Sequence, residues 1–243
     1  MLQLPKAVLF DIDDTLTHSY EEPAQELVAD LDSLIARIPV AIVSAASFTR
    51  IEKHFLSVLV SHQKEGKLYI FSNNASQCFL FRNSQWELEY AFGMTDEERG
   101  SIKAAISESA AELGIEHNVI DRETKIVYHG VSNDAHQDIK KAWDPDMAKR
   151  SGMKSALEKR ISGYEILIGG THTLDITKQG VNKSYAVEWL AKDLKVAPAE
   201  MLFVGDALYE GGNDAVVIPT GIQTRQVAGP HETHVLIKEL LTL

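Results

Sequence analysis

The chain has 243 residues and a formal net charge of −11, with 44% hydrophobic and 24% charged residues. The balance is ordinary for a soluble globular protein, and the negative charge argues against a nucleic-acid or anionic-membrane partner, since counterion release needs clustered Lys and Arg. A single cysteine, Cys78, excludes an intrachain disulfide, and no apolar run approaches the ~18 residues of a membrane span. Cys78 lies in an apolar stretch with no basic neighbour closer than Arg82, so it reads as packing rather than as a nucleophile. A strand expected within about six residues of the start leaves no room for a signal peptide, and the expected location is cytoplasmic.

The first predicted element is the strand Ala7-Val8-Leu9-Phe10, uniformly apolar as in a parallel sheet buried on both faces. It runs directly into Asp11, Asp13, Asp14, Thr15 and Thr17. Ligands of open α/β sheets bind at the carboxyl ends of strands, which is where Asp11 and Asp13 fall. Carboxylates packed this closely repel, and a hard divalent cation with oxygen ligands is the occupant that relieves them; an Asp-rich cap or solvated turn is the plain alternative.

Pro23 opens a helix carrying Leu27, Leu31, Leu34, Ile35 and Ile38 on one face, and Pro39 stops it. Val40-Ala41-Ile42-Val43 is a second buried strand, ending at Ser44, and Ser47 caps a helix carrying Ile51, Phe55, Val58 and Leu59. The βαβα rhythm predicts a doubly wound parallel sheet. Residues 68–71 form a third apolar run. Residues 78–81 and 86–90 flank Arg82-Asn83-Ser84-Gln85 and predict an antiparallel hairpin.

Thr95-Asp96-Glu97-Glu98 is a capping box that opens a helix ending at Gly114. A strand at 125–131, a helix at about 146–159 and strands at 164–168 and 173–176 complete an α+β module placed at 84–178, with hinges near Asn83 and Thr177 to Gly180. The α/β rhythm then returns with a helix from about Asn182, a strand at 201–204 ending in Gly205-Asp206, a strand at 215–218 and a helix at about 231–241. Residues 1–83 and 179–243 therefore form one discontinuous α/β core interrupted by an insert.

Asp11-Ile12-Asp13-Asp14-Thr15-Leu16-Thr17 after a buried strand resembles the first motif of the haloacid dehalogenase-like superfamily, whose signature needs the two aspartates and the threonine. Asp14 stands where many members carry Gly. Gly205-Asp206 with Gly211-Gly212-Asn213-Asp214 resembles the fourth motif in the long form of eukaryotic-type phosphomannomutases, and an insert between the second and third motifs marks the α/β-capped subclass. Gly169-Gly170-Thr171-His172-Thr173-Leu174-Asp175-Ile176, followed by Gly180 and Lys183, is similar to the cap-to-core return of those mutases.

This resemblance implies a Rossmannoid core with an inserted cap and a Mg²⁺ site of Asp11, the backbone carbonyl of Asp13, and Asp206, with Asn213 and Asp214 supporting it. Ser44 fits the second motif's phosphate-binding hydroxyl and Lys183 the third motif's lysine, although each alone would read as a strand-end hydroxyl and an exposed helix lysine. Thr15 joins the substrate-binding set by the same signature, and Thr173 and Asp175 match a hydroxyl and a carboxylate that contact sugar hydroxyls. In-line phosphoryl transfer needs an oxygen nucleophile, a proton donor, a divalent cation and fixed cations on the equatorial oxygens. Asp11 fits the nucleophile that forms an aspartyl-phosphate, and Asp13 the acid and then base.

Two departures bear on substrate. The mutases carry an arginine where this chain has Tyr20, and they use cap arginines to hold a second phosphate, whereas residues 128–136 contain none. A mutase binds a bisphosphate in both orientations and is best served by arginine forks. The leading expectation is therefore a Mg²⁺-dependent phosphatase acting on a small phosphorylated metabolite such as a sugar phosphate. The alternatives are a phosphosugar mutase and a non-catalytic sugar-phosphate-binding protein. The expected assembly is a monomer or a homodimer paired through its caps. His18, His129, His136 and His172 show no metal-ligand spacing; His18, near the mouth of the expected site, could touch substrate, and His129, His136 and His172 fall in the insert.

Overall fold

In the computed structural model, residues 4–19, 21–59, 67–132 and 134–243 are described; Tyr20 and Asn133 lie outside them. The chain begins β1 (Val8–Phe10), α1 (Gln25–Arg37), β2 (Val40–Val43), α2 (Phe48–His54), β3 (Leu68–Ser72), β4 (Gln77–Arg82) and β5 (Gln85–Ala91). It continues α3 (Asp96–Leu113), β6 (Asn118–Asp121), β7 (Ile126–His129), α4 (Gln137–Trp143), α5 (Ala148–Glu158), β8 (Tyr164–Gly169) and β9 (Thr173–Lys178). It closes with α6 (Lys183–Leu194), β10 (Leu202–Gly205), β11 (Gln223–Gln226) and α7 (Pro230–Leu241). Two compact units result, one of Met1–Ala91 with Asn182–Leu243 and one of Phe92–Val181.

The first unit is an α/β fold. Its sheet is ordered β11-β10-β1-β2-β3-β4-β5, parallel from β11 to β3 and antiparallel through β4 and β5. Alternation along β1 divides the core into two layers. Val8 and Phe10 pack with Leu27, Leu31 and Leu34 of α1, Ile51 of α2, and Leu236, Ile237 and Leu240 of α7. Leu9 faces the opposite layer with Ala186, Val187 and Leu190 of α6. With both faces covered, a parallel strand has no polar side to keep, which is why β1 and β2 read as unbroken apolar runs. Each fully buried Leu or Phe contributes roughly 1.5–3 kcal/mol, so the layers rather than helix propensity hold these helices in place.

The antiparallel hairpin forms as expected, but its second strand stays with the first unit. β5 pairs along β4 and extends the seven-stranded sheet, so the boundary between the units falls after Ala91 rather than at Asn83. The physical cause is register: β4 is locked to β3 by pairs such as Phe71 with Cys78, and the tight turn at Asn83-Ser84 then brings β5 onto β4. The expected strand at 215–218 is a 3₁₀ helix, Ala215–Thr220, and the true strand, β11, follows it. An apolar run of this length has no periodicity that separates the two states. Cys78 is fully buried, which pushes its thiol up, and it packs as expected. Among the described residues no helix is long and apolar enough to cross a membrane.

The second unit is a four-stranded antiparallel sheet, ordered β6-β7-β9-β8. Ile126, Tyr128, Ile166, Leu174 and Ile176 share an apolar cluster with Ile102 and Ile106 of α3 and Met153 and Leu157 of α5. The alternate positions of β7 and β9 place Val127, His129, Thr173, Asp175 and Thr177 on the other face of the sheet. There the His129 Nδ1 and His172 Nε2 atoms lie 3.3 Å apart. Burial holds both histidines down to about 4, and nearby cations, Lys140 among them, add to the effect.

Their pH dependence follows. The unfolded histidines titrate near 6.5, so below that pH the unfolded chain takes up protons that the native one refuses, and stability falls as the pH drops from 6.5 towards 4. Each histidine is expected to cost roughly 1–2 kcal/mol at pH 5. The check is the urea midpoint at pH 7.5 and pH 5, compared with the His129→Asn/His172→Gln double variant. An equal pH drop in both proteins would remove the histidine pair as its cause.

Candidate active site

The site is built where β1, β2 and β10 end, all within the first unit. Asp11 follows β1, and its backbone N–H donates to the Val204 carbonyl at 3.0 Å, tying it to β10. The chain then turns sharply: the N–H groups of Thr15, Leu16 and Thr17 all donate to the Ile12 carbonyl. Asp14 sits in this turn at φ 57°, in the left-handed region where Gly is the ordinary choice. Its carboxylate accepts from the Ser19 N–H and hydroxyl at 3.3 and 2.9 Å, and these bonds support the strained conformation that Gly would adopt freely. His18, exposed, lies 3.7 Å from the same carboxylate.

Asn182 caps α6 by accepting from the Ser184 N–H at 2.8 Å, which fixes Lys183 as the first helical residue. The Lys183 side chain is 1% exposed, and its Nζ lies 2.9 Å from Asp11 Oδ1 and 2.7 Å from Asp214 Oδ1. The second oxygen of Asp214 accepts the Ala207 N–H at 3.1 Å. Two glycines leave room for this arrangement. A Cβ on Gly205 would stand 2.3 Å from Asp214 Oδ2, and one on Gly212 would stand 2.1 Å from the Ala207 carbonyl oxygen. Asp206 is half-buried, with the Thr15 hydroxyl at 3.5 Å from its Oδ1, and Asn213 is half-buried just before Asp214. Ser44 is buried at the end of β2, and its Oγ accepts the Ala46 N–H at 3.0 Å, which leaves its own proton free to point elsewhere.

One oxygen each from Asp11, Asp206 and Asp214 lie within 4.8 Å of one another. One buried ammonium cannot balance three carboxylates. Burial raises the Asp11 carboxyl to about 8 against the pull of Lys183, with Asp214 and Asp13 adding to the rise. Asp206 rises to about 6 for the same reasons, burial first and Asp214 next. Burial disfavours the Lys183 ammonium, but Asp11 and Asp214 overcome that and raise it further above its ordinary range. The donor set is all oxygen and short of positive charge, and it fits a hard divalent cation.

Of the other residues singled out from the sequence, Asp13 lies outside this carboxylate group; its Oδ1 is 2.7 Å from Arg50 Nη2. Thr173 and Asp175 belong to the second unit. The Thr173 hydroxyl donates to the Gly169 carbonyl at 2.8 Å, and Asp175 pairs with Lys125 at 2.9 Å, with both charged side chains nearly fully buried. Sequence reading missed Arg50 and Lys125. The signal for Arg50 is its place in the first turn of α2, where the helix dipole disfavours a cation.

The family profile of haloacid dehalogenase-like hydrolases matches residues 5–211. The phosphomannomutase of Spinacia oleracea is 25% identical over 218 residues, covering 85% of this chain and 83% of that protein. Phosphomannomutase 2 of Dictyostelium discoideum is 25% identical over 249 residues, covering 95% and 94% respectively. In fold, the IMP-bound IMP-nucleotidase of Plasmodium falciparum superposes with a TM-score of 0.72 at 17% identity, covering 98% of this chain and 68% of that one.

Proposed function

From its membership of the haloacid dehalogenase-like hydrolases, we propose that this chain is a Mg²⁺-dependent phosphatase that cleaves a small phosphorylated metabolite, a sugar phosphate by preference, through an aspartyl-phosphate. The observation that carries the reading is the buried Asp11–Lys183–Asp214 array with Asp206 beside it. Asp11, Asp206 and Asp214 would hold the Mg²⁺, whose charge favours ionised Asp11 and screens the phosphate from these carboxylates.

A carboxylate oxygen of Asp11 attacks phosphorus as the bond to the leaving oxygen breaks, and Asp13 gives its proton to that oxygen. Water then attacks the aspartyl-phosphate; Asp13 takes the proton, and the bond to Asp11 breaks to release phosphate. Lys183 holds Asp11 in place and, with the Ser44 hydroxyl, serves the equatorial oxygens.

Hydrolysis is favoured over mutase chemistry by the pairing of three of the four arginines of the second unit. Arg99, Arg150 and Arg160 already pair with Asp121, Asp144 and Glu112 of that unit, and holding a second phosphate would break these pairs. The mutase reading is kept open by the phosphomannomutases among the relatives. A panel of hexose 1- and 6-phosphates with Mg²⁺ decides between them. Phosphate release that disappears in EDTA and returns with Mg²⁺ is the expected result. Interconversion of 1- and 6-phosphates in the presence of a bisphosphate, with no release, would replace the phosphatase by the mutase.

A further inference from the structure

We infer that Arg50 is a positioning residue that fixes the Asp13 carboxylate on the turn after β1; the inference rests on the phosphatase reading above. Asp13 stands on the turn after β1, and its charge is felt at Asp11, Asp11 being one of three clustered carboxylates. Like charges push the Asp13 side chain away from that cluster, while the chemistry needs it close. Arg50 fixes its position through an ion pair, with Nη2 at 2.7 Å from Asp13 Oδ1.

The setting of Arg50 fits this task. A cation in the first turn of a helix runs against the dipole, and the other basic residues of α2, Lys53 and His54, lie in the favoured last turn. An arginine in the unfavourable place is explained by the anion it reaches. Its backbone is pinned as well, since the Arg50 N–H donates to the capping Ser47 Oγ at 3.4 Å. Arg50 lines a small cavity of about 70 Å³ together with Ile12, Ala46, Ile51 and Phe55. One short segment, 44–50, thus carries both the Ser44 hydroxyl and the clamp on Asp13. The two side chains of the pair are 33% and 29% exposed, and a pair so open to water contributes little to folding, so stability does not account for it.

The test measures kcat and KM for p-nitrophenyl phosphate with Mg²⁺ in wild type, Arg50→Lys, Arg50→Met, Asp13→Asn and the Asp13→Asn/Arg50→Met double variant. A misplaced catalytic group costs on the order of 100-fold, so Arg50→Met is expected to lose roughly 30–100-fold in kcat with KM changed less than about threefold. Arg50→Lys, which keeps the charge, should recover much of the loss. In the Asp13→Asn background Arg50→Met should cost less than about twofold, because the group it positions is already gone. Arg50→Gln repeats the measurement should the methionine variant misfold. Losses that multiply in the double variant, a rise in KM alone, or full kcat in Arg50→Met would each overturn the inference. Wild type that releases no phosphate would overturn the underlying reading and this inference with it, whereas Asp11-dependent release in wild type leaves the variants to test Arg50 alone.

Discussion

Asparagine at position 11 is expected to remove phosphate release almost entirely, with kcat down on the order of 10⁴-fold, the scale seen when one member of a nucleophilic unit is lost. The amide keeps the size and planarity of the carboxylate but has no charged oxygen with which to attack phosphorus. The fold should survive. Asp11 is 5% exposed, and burial and its acidic neighbours oppose its ionised form; Lys183 retains Asp214 as a partner at 2.7 Å. A neutral side chain relieves that repulsion, so the melting temperature in EDTA is expected to stay level or rise while activity vanishes. That combination is the signature of a residue kept for chemistry at the expense of stability. Turnover above about 1% of wild type in Asp11→Asn would exclude Asp11 as the nucleophile.

Lys183→Met should damage both activity and fold. The ammonium is the partner of Asp11 at 2.9 Å and of Asp214 at 2.7 Å, and its side chain is 1% exposed. Deleting one side of a buried ionic array strands the other charges, at a cost of roughly 3–5 kcal/mol. The loss in kcat is expected to be about 10²–10³-fold, as for removal of a fixed electrostatic donor. Mg²⁺ should separate the two effects. The variant's three carboxylates, within 4.8 Å of one another, have only the divalent cation left to balance them. Its urea midpoint should therefore rise more steeply with Mg²⁺ than that of wild type, while kcat stays low. A variant as stable as wild type in EDTA would show that the array tolerates its own repulsion, and the cation fit would fail with it.

The candidate site was legible from the sequence where physics ties chemistry to strand ends. Asp11, Ser44 and Asp206 each follow a buried apolar run, and the carboxyl ends of parallel strands are where an open sheet exposes polar groups to a ligand. Arg50 was not legible as a partner of Asp13, because the pair is formed between a turn and a helix and has no local pattern. Lys125 with Asp175 is hidden in the same way: a lysine at a strand edge looks solvated until the sheet buries it. β11, Gln223–Gln226, is exposed at every position, and an edge strand without an apolar side leaves no alternation to read.

What the sequence determined by itself was local and periodic: the apolar runs of the parallel strands, the stripe of α1, the capping box of α3 and the crowding of acids after β1. These follow from short-range sterics and from the burial of contiguous apolar side chains, which every stretch of chain carries within itself. The tertiary structure alone decided the side of the boundary to which β5 belongs, the 3₁₀ form of Ala215–Thr220, and which charges meet. Lys183 faces Asp11 and Asp214 because α6 packs beneath β1 and β10, and Arg50 reaches Asp13 because α2 packs beside the turn. Such pairings are set by the register of packed layers, and Coulomb forces between distant residues become strong only after those layers have excluded water.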